Sequence, residues 1–345
     1  MSFATVDLPL DGPRAFPVMT SGLSRRSLLG AVLGAPLLPG CCKHSPFLAV
    51  GYMNNLTHAQ PLVGATSGRW SAVLGLPMIA FPAGPAVMEA LSAGTLLAGF
   101  MGPAAAVNAF VRSRGKRGLV LRGNASGGAS LVVRQDLPIS APEHLRGQLL
   151  TASQIASTPD VALRTYLAQH RLAPRDRGGD VVLLPMPNTE AFVTLKRRQI
   201  AGVWAQEPWA SRMVAQAGGR RMLDERELWP GGRFPASLLV TTRKAMNEHP
   251  EKIERLVSLL DDETARMRAL ADGGMSEVGQ ALSKVLGQTL PEEILRDAWG
   301  RFELTTDPMK EGLREVTRRM EAMGYLPAGG SAEGLLVAQR NEEVR

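Results

Sequence analysis

The sequence predicts an α/β protein built as two lobes of similar design. Three observations carry that expectation. Short apolar runs of strand length alternate with stretches of helical length. The chain holds 36 glycines and 24 prolines in 345 residues, which supply turns at the junctions. One ten-residue pattern occurs twice: residues 91–100 lie over 195–204 at an offset of 104. Hydrophobic residues make up 45% and charged residues 21%, the balance of a globular chain, which excludes a mainly disordered one. The length suffices for two domains of ordinary size.

Taken in order, residues 48–52 read as a buried strand, 54–57 as a turn and 58–65 as a helix. A second strand is expected at 78–81. Pro85 sits at the first turn of a helix that Gly94 can stop, and a third strand follows at 96–101. The uncharged stretch 90–111 is long enough to span a bilayer. Gly94, Gly99, Gly102 and Pro103 interrupt it, so it reads as buried strand and helix instead. Further strands are expected at 119–121 and 129–133. Ser140-Ala141-Pro142-Glu143 has the spacing of a capping box before a short helix. Residues 160–170 read as an amphipathic helix and 180–184 as a strand. In the repeat, each copy reads as helix end, turn and strand, followed by a proline, Pro103 or Pro208, that can open the next helix. Helices dominate beyond Pro250, at 251–272, 291–299 and 309–323. Strands alternating with helices call for parallel sheets.

The N-terminus reads as a targeting segment. Ser24-Arg25-Arg26-Ser27-Leu28-Leu29 is a twin-arginine pattern, and residues 28–38 carry no charge. Leu38-Pro39-Gly40-Cys41 resembles the processing site of bacterial lipoproteins, although Pro39 departs from the usual pattern. Residues 1–41 are therefore expected to be a signal peptide and Cys41 a lipidation site. The mature chain would be periplasmic or otherwise extracytoplasmic, held to a membrane by its lipid. The competing reading is a chance arginine pair before a buried helix. Cys41 and Cys42 are the only cysteines, so the body has no internal disulfide, zinc-thiolate site or cysteine nucleophile.

Several function classes are disfavoured. Aromatic residues are only 5%, too few for the stacking platforms of single-strand nucleic-acid binders. The net charge of +7 is scattered, without the runs of a basic tail. It suits an anionic ligand or surface, or simply reflects an arginine-rich composition. His58, His144, His170 and His249 lack metal-ligand spacing, and the nucleotide-binding and nucleophile-elbow motifs do not occur. No metal, cofactor or nucleic acid is expected.

In open α/β sheets ligands sit at the carboxyl ends of strands, against helix N-termini. Four places qualify: residues 54–58, 102–104, 124–129 and 204–209. Met186, Met213 and Met222 read as core fillers. Trp204 and Trp209 either wall the cleft or pack between lobes. His58 is either a packing histidine or a ligand contact.

Residues 51–61, Gly84-Pro85-Ala86-Val87-Met88-Glu89-Ala90-Leu91, Gly102-Pro103, Ala125-Ser126-Gly127-Gly128-Ala129, Asp160-Val161-Ala162-Leu163-Arg164 and Glu207-Pro208-Trp209-Ala210 follow in an order and spacing that resemble a known family. It is the periplasmic substrate-binding proteins of nitrate, sulfonate and taurine ABC importers. The resemblance covers roughly 47–257. It implies a type II periplasmic binding protein: two α/β lobes on a hinge, closing on a small anion and handing it to a permease. Where the family's repeats carry acidic residues, this chain has Thr95 and Leu97, and Gln199 and Ala201. Residues 154–158 also depart from its usual glycine- and asparagine-containing segment.

On that basis one lobe is expected from 46–132 with 236–345 and the other from 133–235, the chain crossing at 132–134 and 238–240. The expected ligand contacts are Asn54, His58, Gly102, Ser126, Gly127, Gly128, Gln154, Thr158 and Glu207. Glu207 would hold an amine on the ligand or accept hydrogen bonds across the hinge. The expected role is capture of an aliphatic sulfonate, taurine or nitrate by a monomer, without catalysis. The alternative on the same scaffold is an enzyme or a pyrimidine-precursor binder. The desulfinase relatives look to a cysteine nucleophile, which this body lacks.

Overall fold

The computed structural model describes residues 48–337. The expected signal segment and Cys41 lie outside them. The chain begins with β1 (Ala49–Met53), α1 (Ala59–Thr66), α2 (Arg69–Leu74), β2 (Met78–Phe81), α3 (Gly84–Ala93), β3 (Leu96–Met101), α4 (Pro103–Arg112) and the long β4 (Arg117–Gly127). It continues through β5 (Ala129–Arg134), β6 (Leu149–Thr151), α5 (Thr158–Gln169), β7 (Val182–Leu183), α6 (Asn188–Lys196), β8 (Gly202–Gln206), α7 (Trp209–Gln216) and β9 (Gly219–Asp224). It returns with β10 (Pro235–Thr242), α8 (Arg243–Glu248), α9 (Pro250–Ala269), α10 (Met275–Leu286), α11 (Glu292–Trp299), β11 (Phe302–Leu304) and α12 (Lys310–Ala322).

The strands form two sheets, the frameworks of two lobes. The first runs β11-β4-β10-β3-β1-β2 and the second β7-β6-β8-β5-β9. Strands β1, β2 and β3 are parallel, as are β6, β7 and β8. The expected parallel pairing holds for these strands, but the sheets are mixed, because β10 runs antiparallel to β3 and β4, and β5 antiparallel to β8 and β9. These are the strands by which the chain enters each sheet from the other one, so they arrive from the opposite end. The repeat falls on α3–β3 and α6–β8, at matching positions in the two sheets.

The chain leaves the first sheet at Gly127 and enters the second at Ala129, then comes back across 225–234. The segments 132–134 and 238–240 lie inside β5 and β10 instead; Val132, Val133 and 238–240 are apolar because they are buried strand. Gly127 and Gly128 have φ of +83° and +79°. A Cβ on Gly127 would stand 2.8 Å from the Arg301 carbonyl oxygen, and one on Gly128 2.9 Å from Thr57 Cγ2. Both the backbone angle and the space demand glycine there.

Apolar side chains hold the layers together. Leu56, Leu62, Trp70, Leu97 and Phe100 bury one face of the first sheet under α1, α9 and α10. A second cluster runs on from Val87, Leu96 and Met101 to Leu131, Leu163 and Trp204 of the second lobe. Each fully buried leucine or valine contributes about 1.5–3 kcal/mol.

Two local expectations change. Ser140 does not cap a helix: its hydroxyl lies 3.4 Å from His144 Nδ1, and the turn Pro142–Leu145 starts after Ala141 with no side-chain cap. Helix α5 is buried from Pro159 through Leu167 rather than along one stripe, because it packs on β8 and also on α4 and α12 of the first lobe. Among the described residues no helix is long and apolar enough to cross a membrane; the stretch 90–111 divides into the end of α3, β3 and most of α4.

Candidate functional site

The carboxyl ends of β1, β2, β3, β6 and β8 open into one cleft of about 680 Å³. Five helices begin at its wall, contributing Gly84 of α3, the α4 cap Gly102, Ser157 and Thr158 of α5, Asn188 of α6 and Trp209 of α7. The first N–H groups of a helix have no intrahelical partner and carry about half a positive charge between them. The polar side chains among them are amides and hydroxyls, chiefly Asn54, Ser153, Gln154, Thr158, Asn188 and Gln206; none of the described lining residues is ionisable. The cleft thus offers helix-end N–H groups and neutral polar side chains, with no formal charge in its described lining.

The start of α5 is fixed most firmly. Ser157 caps it, accepting from the Asp160 N–H. The Asp160 carboxylate in turn accepts from Ala156 N–H at 2.9 Å and from Arg164 Nε at 2.9 Å, and receives the Tyr325 hydroxyl from the other lobe. Ala156 is held at φ +59°, an uncommon conformation for a residue with a Cβ. Burial and the adjacent Asp160 carboxylate push the Tyr325 phenol above its usual range, so it stays a proton donor.

Four of the sequence-derived residues, Asn54, Gly102, Gln154 and Thr158, meet in this cleft. The Oδ1 of Asn54 is buried without a hydrogen-bond partner. Thr158 Oγ1 accepts from Ala104 N–H at 3.3 Å, so it already touches the first lobe.

The other five do not line it. His58 is fully buried beneath β1. Its Nδ1 accepts from Met53 N–H at 3.3 Å, which leaves Nε2–H to face Ser237 Oγ at 3.3 Å. Burial pushes its pKa down to about 3, so it is a neutral packing residue. Ser126 Oγ accepts from Phe234 N–H at 3.1 Å. Gly127 and Gly128 form the crossing. Glu207 is fully buried; its Oε1 pairs with Arg221 Nη2 at 2.7 Å and its Oε2 accepts from Ser211 N–H at 3.0 Å. Burial raises its pKa against the pull of Arg221. Its main chain also ties the lobes, since its carbonyl accepts from Leu56 N–H. The carboxylate therefore serves the junction.

Sequence reasoning missed Asn188, Thr189, Ser153 and the wall of Phe81 and Pro82. The repeat held a clue, for its offset carries Gly84 onto Asn188. The two tryptophans divide: Trp204 is buried and donates to Glu225 Oε2 at 2.8 Å, whereas Trp209 lines the cleft. Met213 fills the core, while Met186 also reaches the cleft wall.

Residues 43–273, two thirds of the chain, match the model of the NMT1-like family. The chain belongs to the NMT1-like family. Comparison with curated protein sequences finds no match. Solved structures resemble this NMT1-like protein over most of its length. The alkanesulfonate-binding protein SsuA from Xanthomonas axonopodis pv. citri, bound to MOPS, aligns with a TM-score of 0.68 at 15% identity, covering 85% of this chain and 98% of that chain. The periplasmic aliphatic sulphonate-binding protein SsuA from Escherichia coli gives 0.66 at 17%, covering 87% and 96%. The periplasmic nitrate-binding protein NrtA from Synechocystis PCC 6803 gives 0.69 at 16%, covering 84% of both chains. At these identities the likeness establishes the fold, that of a two-lobed periplasmic binding protein.

Proposed function

We propose that this NMT1-like protein is the solute-binding component of an ABC importer. It captures a small anion of the sulfonate, taurine or nitrate class between its lobes and delivers it to permease subunits in the membrane. The observation that carries the reading is the uncharged cleft ringed by five helix N-termini. Such an arrangement favours an anion without a fixed countercharge and releases it when the lobes part. The sulfonate- and nitrate-binding proteins of the same fold support the ligand class.

The proposed bodies are the two sheets with their helices, hinging at Gly127-Gly128 and across 225–234. Binding rather than catalysis is the proposed role. The amides and hydroxyls of the lining supply hydrogen bonds, and the nearby titratable groups, His58 and Glu207, are committed to structural bonds. The twin-arginine segment and Cys41 support an extracytoplasmic, lipid-anchored protein, and a monomer is the proposed state. Fractionation of a Cys41→Ser variant tests the anchor: release from the membrane supports it, and unchanged attachment refutes it.

The ligand reading is tested by thermal melting and calorimetry with taurine, ethanesulfonate, benzenesulfonate and nitrate. A bound anion at a thousandfold excess over its Kd adds about 4 kcal/mol of stability. Absence of saturable binding by every one of them overturns the reading.

A further inference from the structure

The cleft has an aromatic wall of unusual construction. Trp209 contributes to its lining. The Arg212 guanidinium lies over that indole, 4.5 Å from the ring centroid, and 5.1 Å from the Phe192 centroid. Phe192 meets Trp209 edge-on at 6.2 Å. Arg212 is only 7% exposed, and its Nε and Nη1 have no hydrogen-bond partner. No carboxylate pairs with it among the described residues, so the two rings are what hold this buried cation.

The stack has two consequences for the cleft. It holds the indole in one orientation, which removes the ordering cost of a binding surface. It also places a positive charge against the ring, which draws π density toward the guanidinium and favours an electron-rich or anionic partner on the indole's remaining surface. Across from it the first lobe presents Phe81, Pro82, Pro85, Ala105 and Leu286. A bare inorganic anion would occupy a small part of about 680 Å³ and leave this apolar lining facing water.

Resting on the anion-binding reading above, we infer that the preferred ligand is an aromatic organic monoanion. Its ring lies against Trp209, and its acid group points to the α4 and α5 N-termini beside Gly102 and Thr158. An aliphatic body of the same size would fill the volume but would not use the polarised indole.

The test compares benzenesulfonate with cyclohexanesulfonate, which share the acid group and ring size and differ in the π face. Ethanesulfonate and nitrate serve as references, all titrated calorimetrically into the full chain. Benzenesulfonate is expected to bind about three- to tenfold more tightly than cyclohexanesulfonate, and nitrate most weakly. Trp209→Leu should bring the ratio of the first two to about one, and Trp209→Phe should retain most of it. Because both ligands are measured on the same variant, the ratio is independent of partial loss of folding. If cyclohexanesulfonate or nitrate binds as tightly as benzenesulfonate, the inference is overturned while the anion reading stands. If none of the four binds and taurine does not either, both fall.

Discussion

Gly102 and Thr158 meet across the cleft so closely that a Cβ on Gly102 would stand 2.5 Å from Thr158 Oγ1. The two residues cap or open helices of different lobes, α4 and α5. Thr158 could turn its hydroxyl away, but it would then lose the Ala104 N–H. Gly102→Val is therefore expected to hold the lobes apart. Calorimetry should show anion affinity falling by about tenfold, equivalent to 1.4 kcal/mol, with little change in the melting temperature. Unaltered affinity would show that this approach is not needed for closure.

Gln206 lies at the carboxyl end of β8, in the wall of the cleft. Gln206→Glu keeps the shape and adds a negative charge to a site that has no ionisable lining. At pH 7 it should weaken every anion tenfold or more, since like charges at short range repel by about 1–4 kcal/mol depending on the local dielectric. Equal binding by the variant and the parent would place the ligand elsewhere.

Glu207 and Ser126 should respond in stability. Glu207→Ala leaves Arg221 with Asp297 and Ser211 Oγ but removes one of its two carboxylates and the acceptor of the Ser211 N–H, at about 1–3 kcal/mol. Ser126→Ala leaves the Phe234 N–H without its acceptor, at about 1–3 kcal/mol. Urea unfolding measures both. The ratio of taurine to ethanesulfonate affinity should stay constant in each; a selective loss of taurine would return Glu207 to the ligand.

Two buried groups give opposing pH dependence. His58 is pushed down to about 3 from an ordinary 6.5. As the pH falls below 6.5, the unfolded chain gains a proton that the folded chain refuses, so stability drops by up to about 1.4 kcal/mol per unit. Glu225 is buried between the indoles of Trp204 and Trp229, and burial pushes it up to about 7 from 4.5. Between those values the folded chain keeps a proton that the unfolded chain has lost, so stability drops as the pH rises. Relative to the parent chain, Glu225→Gln should lose more stability on acidification from pH 6.5 to 4.5. His58→Gln should lose less. Parallel melting curves for all three would contradict both assignments.

The elements bounded by proline and glycine were legible in the sequence. Pro85 and Gly94 bracket α3, and the repeat correctly anticipates that α3–β3 and α6–β8 occupy matching places. The cleft residues that could be foreseen, Asn54, Gly102, Gln154 and Thr158, lie at strand ends or just before helices, where local sequence marks the position. His58, Ser126 and Glu207 stay ambiguous in the sequence for a common reason. Each looks available until its partner arrives from far along the chain: Ser237 for His58, Phe234 for Ser126, Arg221 for Glu207. The pair Gly127-Gly128 resembles a ligand-cradling loop in sequence. The backbone that approaches it is the Arg301 carbonyl, which no local pattern announces.

The placement of β10 bears on how the protein is made. It is the interior strand between β3 and β4, yet the whole second sheet is encoded between β4 and β10. During synthesis β3 and β4 emerge first and wait as open edges while residues 128–234 are added. At about 5–20 residues per second that interval lasts roughly 5–20 s. Unpaired strand edges invite pairing with other chains. The second lobe, formed from one uninterrupted stretch, can complete itself on the ribosome, whereas the first must be shielded until residue 242 emerges. Its dependence on chaperones during translation should therefore be concentrated in the N-terminal third of the chain.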